Sequence, residues 1–137
     1  MIIADTSGLL ALFNRREPAH GAVAAVVAET SDALVVSPYV VAEIDYLAAT
    51  RLGAKAELAI LRELASGAYE LPAISGEDVA GAADVIHRYR DQSVGVADAS
   101  LVLLADRYRT RMILTLDRRH FGVLRPLNGG RFRVLPS

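Results

Sequence analysis

The sequence predicts an α/β fold: a mostly parallel central sheet covered by helices on both faces. Three observations predict it. Short apolar runs alternate with longer helix-like segments along the whole chain, and parallel strands need crossovers of that kind. The runs at 1–4 and 34–36 are apolar throughout, and that at 112–116 is apolar but for Thr115, rather than alternating, as in strands buried on both faces. No internal repeat, low-complexity tract or linker interrupts the 137 residues, so one domain over 1–137 is expected.

Taken in order, residues 1–4 form a short buried strand that ends abruptly at Asp5. Thr6 or Ser7 can cap the helix that follows, whose apolar face includes Leu9, Leu10, Leu12 and Phe13. Asn14-Arg15-Arg16 closes it. Glu17-Pro18 opens a second helix to about residue 29, with proline early, where its missing donor costs little. Leu34-Val35-Val36 is a second strand. Ser37-Pro38 caps a third helix over about 39–52, and Gly53 stops it. A fourth helix spans 54 to about 66, closed by Gly67. Residues 69–74 read as a short edge strand interrupted by Pro72. Ser75-Gly76-Glu77-Asp78 resembles a capping box and starts a fifth helix to about residue 89. Gly95 precedes a sixth, about 96–108. Residues 112–116 form a strand ending at Asp117, 118–122 a turn or helical piece, and 131–135 a last edge strand.

Hydrophobic residues make up 53% of the chain, which excludes a disordered polymer. The absence of cysteine excludes disulfides, zinc–thiolate sites and a cysteine nucleophile. No apolar run is long enough to span a bilayer, and no basic region opens a signal peptide. A soluble cytoplasmic protein is therefore expected. Net charge is −1 but unevenly placed: residues 1–85 hold five basic and twelve acidic residues, residues 86–137 ten and four. All ten of those basic residues are arginines, whose planar fork suits phosphate; a solvated face paired with acids is the plainer reading.

Four acids stand out. Asp5 and Asp117 each end a strand, and ligands of open α/β sheets bind outside the carboxyl ends of the strands. Glu43 shares a helix face with Val40, Tyr46 and Leu47, and Asp98 with Leu101, Val102 and Ala105. Both lie on stripes that otherwise read as core, where a lone carboxylate is costly unless paired or bound to metal. Oxygen-only ligands favour hard cations such as Mg²⁺ or Mn²⁺, which can orient and acidify a water at a phosphodiester. Thr6, Ser7 and Thr115 lie beside these acids. Each acid also has a plainer explanation: Asp5 or Asp98 as a helix cap, Asp117 as a turn acid with a salt bridge, Glu43 as an arginine partner. His20 and His87 read as surface residues and His120 as a packing residue. Phosphate-loop and dinucleotide fingerprints are absent, and Ser100 lacks a nucleophile-elbow context.

These segments together resemble the PIN-domain ribonucleases, specifically the VapC toxins of bacterial VapBC toxin–antitoxin pairs. The matching stretches are Ile3-Ala4-Asp5-Thr6-Ser7, Ser37-Pro38 through Ala42-Glu43-Ile44-Asp45-Tyr46-Leu47, Ala97-Asp98-Ala99-Ser100-Leu101, and Leu114-Thr115-Leu116-Asp117-Arg118-Arg119-His120-Phe121. The resemblance implies a PIN-like three-layer α/β/α sandwich and an Mg²⁺- or Mn²⁺-dependent endoribonuclease acting on tRNA or rRNA. Asp5, Glu43 and Asp98 match its acidic triad, Asp117 a frequent fourth acid, and Thr6 or Ser7 and Thr115 the polar positions beside it. It also implies a homodimer, and a VapB-type antitoxin that covers the groove in a heterotetramer or larger assembly. Arg107-Tyr108-Arg109-Thr110-Arg111 departs from the family's usual glycine-containing turn.

Arg118, Arg119 and Arg109 are the arginines expected to contact the RNA backbone. Two other readings compete. An aspartyl-nucleophile phosphatase would use Asp5 and normally recruit a lysine, but the only lysine is Lys55, in the fourth helix. A non-catalytic binding module would keep the fold without needing the acids.

Overall fold

A computed structural model describes residues 1–137. Its sheet has four strands, β1 (Ile2–Ala4), β2 (Leu34–Val36), β3 (Met112–Leu114) and β4 (Arg133–Leu135), in the order β2-β1-β3-β4. All pairings are parallel, with Ile3 opposite Val35 on one side and Ile113 on the other. Successive strand side chains point to opposite faces. Every residue of β1 and β2 is buried, so both faces are covered, as a three-layer sandwich requires. The covering helices are α1 (Thr6–Phe13), α2 (His20–Glu29), α3 (Pro38–Arg51), α4 (Ala54–Leu64), α5 (Gly76–Arg88), α6 (Val96–Arg107) and α7 (Arg118–Val123). The core joins the strands to Leu9, Val40, Ile44, Ala48, Leu101 and Leu104 among others. No helix is long and apolar enough to cross a membrane.

The local signals explain most boundaries. The Ser37 hydroxyl accepts the Tyr39 N–H, with Pro38 in the first turn of α3. Ser75 and Asp78 form the reciprocal capping box of α5. Gly53, at φ +97°, makes the turn into α4 in a conformation that side chains rarely adopt.

Three expectations are corrected. The strand over 69–74 shrinks to one bridge, Glu70 beside Val35; Pro72 has no donor with which to continue a ladder. The strand over 112–116 ends at Leu114: Thr115 N–H still donates to the Leu135 carbonyl (3.0 Å), but the amides after it turn to side chains, Leu116 N–H to the Ser7 hydroxyl (2.9 Å) and Asp117 N–H to the Thr115 hydroxyl (2.9 Å). The second helix begins at His20 rather than at Pro18, since residues 17–19 form a turn closed by His20 N–H on the Glu17 carbonyl (2.9 Å).

From β1 the chain crosses to β2 on one side and later to β3 on the other. The crevice between β1 and β3, at their carboxyl ends, is thus the topological switch point where such sheets bind ligands. Asp5 follows β1 there, and Thr115-Leu116-Asp117 follow β3. Asp5 N–H donates to the Leu114 carbonyl at 2.9 Å, tying the two strand ends together. Gly8 lets α1 start against β3: a Cβ at this position would lie 2.4 Å from the Leu114 carbonyl oxygen.

Candidate active site

A cavity of about 700 Å³ opens at this switch point. Asp5, Glu43, Asp98 and Asp117 all line it, with Thr6 and Ser7. Four separate elements therefore deliver their acids to one place.

Asp5 is buried and sits at the N-cap position of α1, yet its side chain makes no cap hydrogen bond. Its Oδ2 accepts instead from the Thr115 hydroxyl (2.7 Å) and the Ser7 hydroxyl (3.2 Å). Those two hydroxyls also receive the backbone amides of Asp117 and Leu116, which fixes their orientation. Burial raises the Asp5 carboxyl above the usual range, and the hydroxyl hydrogen bonds offset only part of that rise.

Thr6 does not cap the helix, as expected of Thr6 or Ser7, but is its first residue and donates to Glu43 Oε1 at 2.6 Å. No arginine pairs with Glu43. The expectation that Glu43 lies on a core stripe is corrected: Val40, Ile44 and Ala48 face the core, while Glu43 is exposed to the cavity. A helix of 3.6 residues per turn places Glu43 about 100° from Ile44, on the flank.

Asp98 is the third residue of α6, past the Gly95 N-cap. Its carboxyl is pushed up to about 6, first by burial and then by the charge of Asp5; the nearby His120 and the Gly95 amide oppose this. Asp117 caps α7, with Oδ1 accepting His120 N–H at 3.0 Å and Oδ2 2.9 Å from His120 Nδ1. It is thus bound to His120 rather than to Arg118 or Arg119. His120 Nδ1 is also 3.8 Å from Asp98 Oδ2, so this histidine bridges two of the acids instead of packing in the core.

The donor set fits a hard divalent cation. It consists of carboxylate and hydroxyl oxygens, with two desolvated carboxyls, Asp5 and Asp98, raised partly by neighbouring acids. No three of the acidic or histidine side chains stand at the spacing of a closed ligand set. Three of the four acids are held by their own partners: Asp5 by hydroxyls, Glu43 by Thr6, Asp117 by His120.

The arginines divide. Arg119 lines a polar cavity of about 400 Å³ that adjoins the first, sharing Asp117 and His120 with it. Arg118 donates to the Pro136 carbonyl. Arg109 is not at the acidic site: it lines a separate cavity with Arg107 and Arg111, at the start of β3. The acids gather at the opposite, carboxyl end of that strand, so the helix-to-strand turn carries Arg109 to the far side.

Sequence reasoning missed Glu17, Tyr46 and Arg51 as cavity residues. The i, i+4 series Glu43, Leu47, Arg51 was the available signal for Arg51; Glu17 arrives from a turn and gave none. His20, expected at the surface, is half-buried and its Nδ1 lies 2.8 Å from the Ala11 carbonyl, tying α2 to α1. Lys55 is exposed and lies away from the cavity, leaving the phosphatase reading without its usual cation.

Comparisons with known proteins bear on the family and the fold. Residues 2–124 match the PIN domain family. The chain is 60% identical over 135 residues to Ribonuclease VapC26 of Mycobacterium tuberculosis, covering 98% of this chain and 100% of that protein. The crystal structure of Mycobacterium tuberculosis VapC20, described as a Sarcin-Ricin loop cleaving toxin, superposes with a TM-score of 0.81 at 20% identity, covering 87% of this chain and 92% of that one. At that identity the superposition speaks for the fold, an α/β sandwich around a parallel sheet. The chain belongs to the PIN-domain family, among the VapC ribonucleases.

Proposed function

We propose that this protein is a cytoplasmic endoribonuclease toxin that hydrolyses RNA phosphodiester bonds, in tRNA or rRNA, with the help of Mg²⁺ or Mn²⁺. The single observation that carries the reading is the arrival of Asp5, Glu43, Asp98 and Asp117 in one cavity at the β1/β3 switch point. The name of the relative at 60% identity supports RNA as substrate. When bound, the cation supplies an acidified water and offsets charge on the scissile phosphate.

The chain's own residues divide the remaining work. Asp5, Glu43 and Asp98 hold the cation, and Asp117 completes the set from α7. Ser7 and Thr115 orient Asp5, and Thr6 orients Glu43. Arg119, which lines the adjoining cavity, and the neighbouring Arg118, exposed on the same short helix, attract the RNA backbone, which gives affinity with little sequence information. A VapB-type antitoxin neutralises the enzyme by covering the cavity, within a heterotetramer or larger assembly built on a homodimer.

The experiment is RNA cleavage with and without EDTA, in the wild type and in Asp5→Asn and Asp98→Asn. Cleavage that survives chelation or either substitution excludes the reading.

A further inference from the structure

We infer that helix α3 forms a lane for a single-stranded segment of the substrate, with Tyr46 as a stacking platform for one unpaired base and Arg51 as the clamp for the next phosphate. The inference rests on the proposed nuclease reading and adds to it two residues of this chain that position the strand.

Glu43, Leu47 and Arg51 stand four residues apart and Tyr46 three beyond Glu43, so they form one stripe on α3, and all four line the acidic cavity. Tyr46 is 67% exposed, the most exposed of the large hydrophobic side chains, and its ring borders the acidic cavity with a free face. Arg51 takes part in no ion pair, although the cavity is rich in carboxylates. Eight residues of helix carry Glu43 and Arg51 about 12 Å apart along the axis. The stripe thus runs from carboxylate to apolar and aromatic surface to cation.

A single nucleic-acid strand matches that order. A phosphate lies at the acidic, cation-binding end, a base against the ring, and the following phosphate at the guanidinium. A duplex does not match, because its bases are already stacked and offer no free face. On the other side of the acids, Arg119 also lacks a carboxylate partner and lines the adjoining cavity. The acidic centre is therefore flanked by an unpaired arginine on each side.

The test is fluorescence anisotropy of a short dye-labelled single-stranded oligoribonucleotide, with Ca²⁺ in place of Mg²⁺, alongside a duplex of the same sequence. Tyr46→Leu is expected to weaken single-strand binding about 10-fold while leaving duplex binding unchanged, and Tyr46→Phe to restore it. Arg51→Gln is expected to weaken binding and to reduce the slope of log affinity against log salt by about 0.7. Equal affinity of wild type and Tyr46→Leu for the single strand, or no binding by the wild type, overturns the lane. A parallel cleavage assay in Mg²⁺ separates the two readings. Binding that depends on Tyr46 without any cleavage overturns the nuclease and leaves the lane standing. Cleavage with no dependence on Tyr46 does the reverse.

Discussion

Ser37 and Ser100 share a buried hydrogen bond of 2.8 Å between their hydroxyls, and it joins the N-terminus of α3 to the second turn of α6. These are the helices that carry Glu43 and Asp98. Ser100 also lies 2.6 Å from the Ala97 carbonyl, and Ser37 accepts the Tyr39 amide. Two buried hydroxyls thus tie together the two helices that bring Glu43 and Asp98 to the cavity.

Ser100→Ala leaves the Ser37 hydroxyl buried with one partner fewer. The expected cost is about 1–3 kcal/mol of stability, together with a several-fold loss of RNA cleavage as the helices readjust. The Ser37→Ala, Ser100→Ala double variant should cost less than the two single losses combined, because no orphaned hydroxyl remains. Urea melts of the three variants check this.

Asp98→Asn should stabilise the protein at neutral pH in EDTA. The Asp98 carboxyl is raised to about 6 in the fold, so folding favours its protonated form. The stability this gives is fully present below the unfolded value of 3.8 and is lost as pH rises through about 6. Ionised Asp98 therefore burdens the fold at pH near 7. The full shift corresponds to about 3 kcal/mol, which solvent screening at this partly open site reduces to about 1–2 kcal/mol. The gain from Asp98→Asn should shrink as pH falls from about 7.5 to about 4; a gain independent of pH in urea melts contradicts the assignment.

Gly8→Ala should destabilise by about 1–3 kcal/mol through overpacking against Leu114. It should also depress cleavage, since Asp5 and Ser7 move with the start of α1. Gly21→Ala is the control. It lies in α2 with nothing within 4 Å of the added Cβ, and is expected to gain about 0.5–1 kcal/mol. Thermal melts of both variants, read with their activities, separate crowding from a generic glycine effect.

Arg119→Gln should raise KM for a short single-stranded RNA about 3- to 10-fold with little change in kcat, as expected for a backbone contact. Arg109→Gln should leave both constants unchanged, because its side chain lines a cavity at the other end of β3. Steady-state kinetics at two salt concentrations check the pair.

Much of the site was legible in the sequence. An acid directly after a buried apolar run lies at a strand's carboxyl end, and parallel topology brings such ends together; Asp5 and Asp117 followed from that alone. Helix periodicity grouped Glu43 with Tyr46 and Leu47 correctly but does not reveal what a stripe faces, so a cavity wall was read as core. That the Asp5 carboxylate faces the cavity site instead of capping α1 depends on Thr115, over a hundred residues away, whose hydroxyl donates to it. The same limit hid Thr6's bond to Glu43 and the position of His120 between Asp98 and Asp117. Arg109 was misplaced because charge along the chain records composition and not which end of a strand a turn occupies.

Calorimetric titration with Mn²⁺ tests the central claim most directly. The wild type should bind the ion, and Asp5→Asn and Asp98→Asn should each bind it at least 10-fold more weakly while remaining folded by circular dichroism. Mn²⁺ affinity left unchanged by both substitutions would contradict a cation held jointly by these acids.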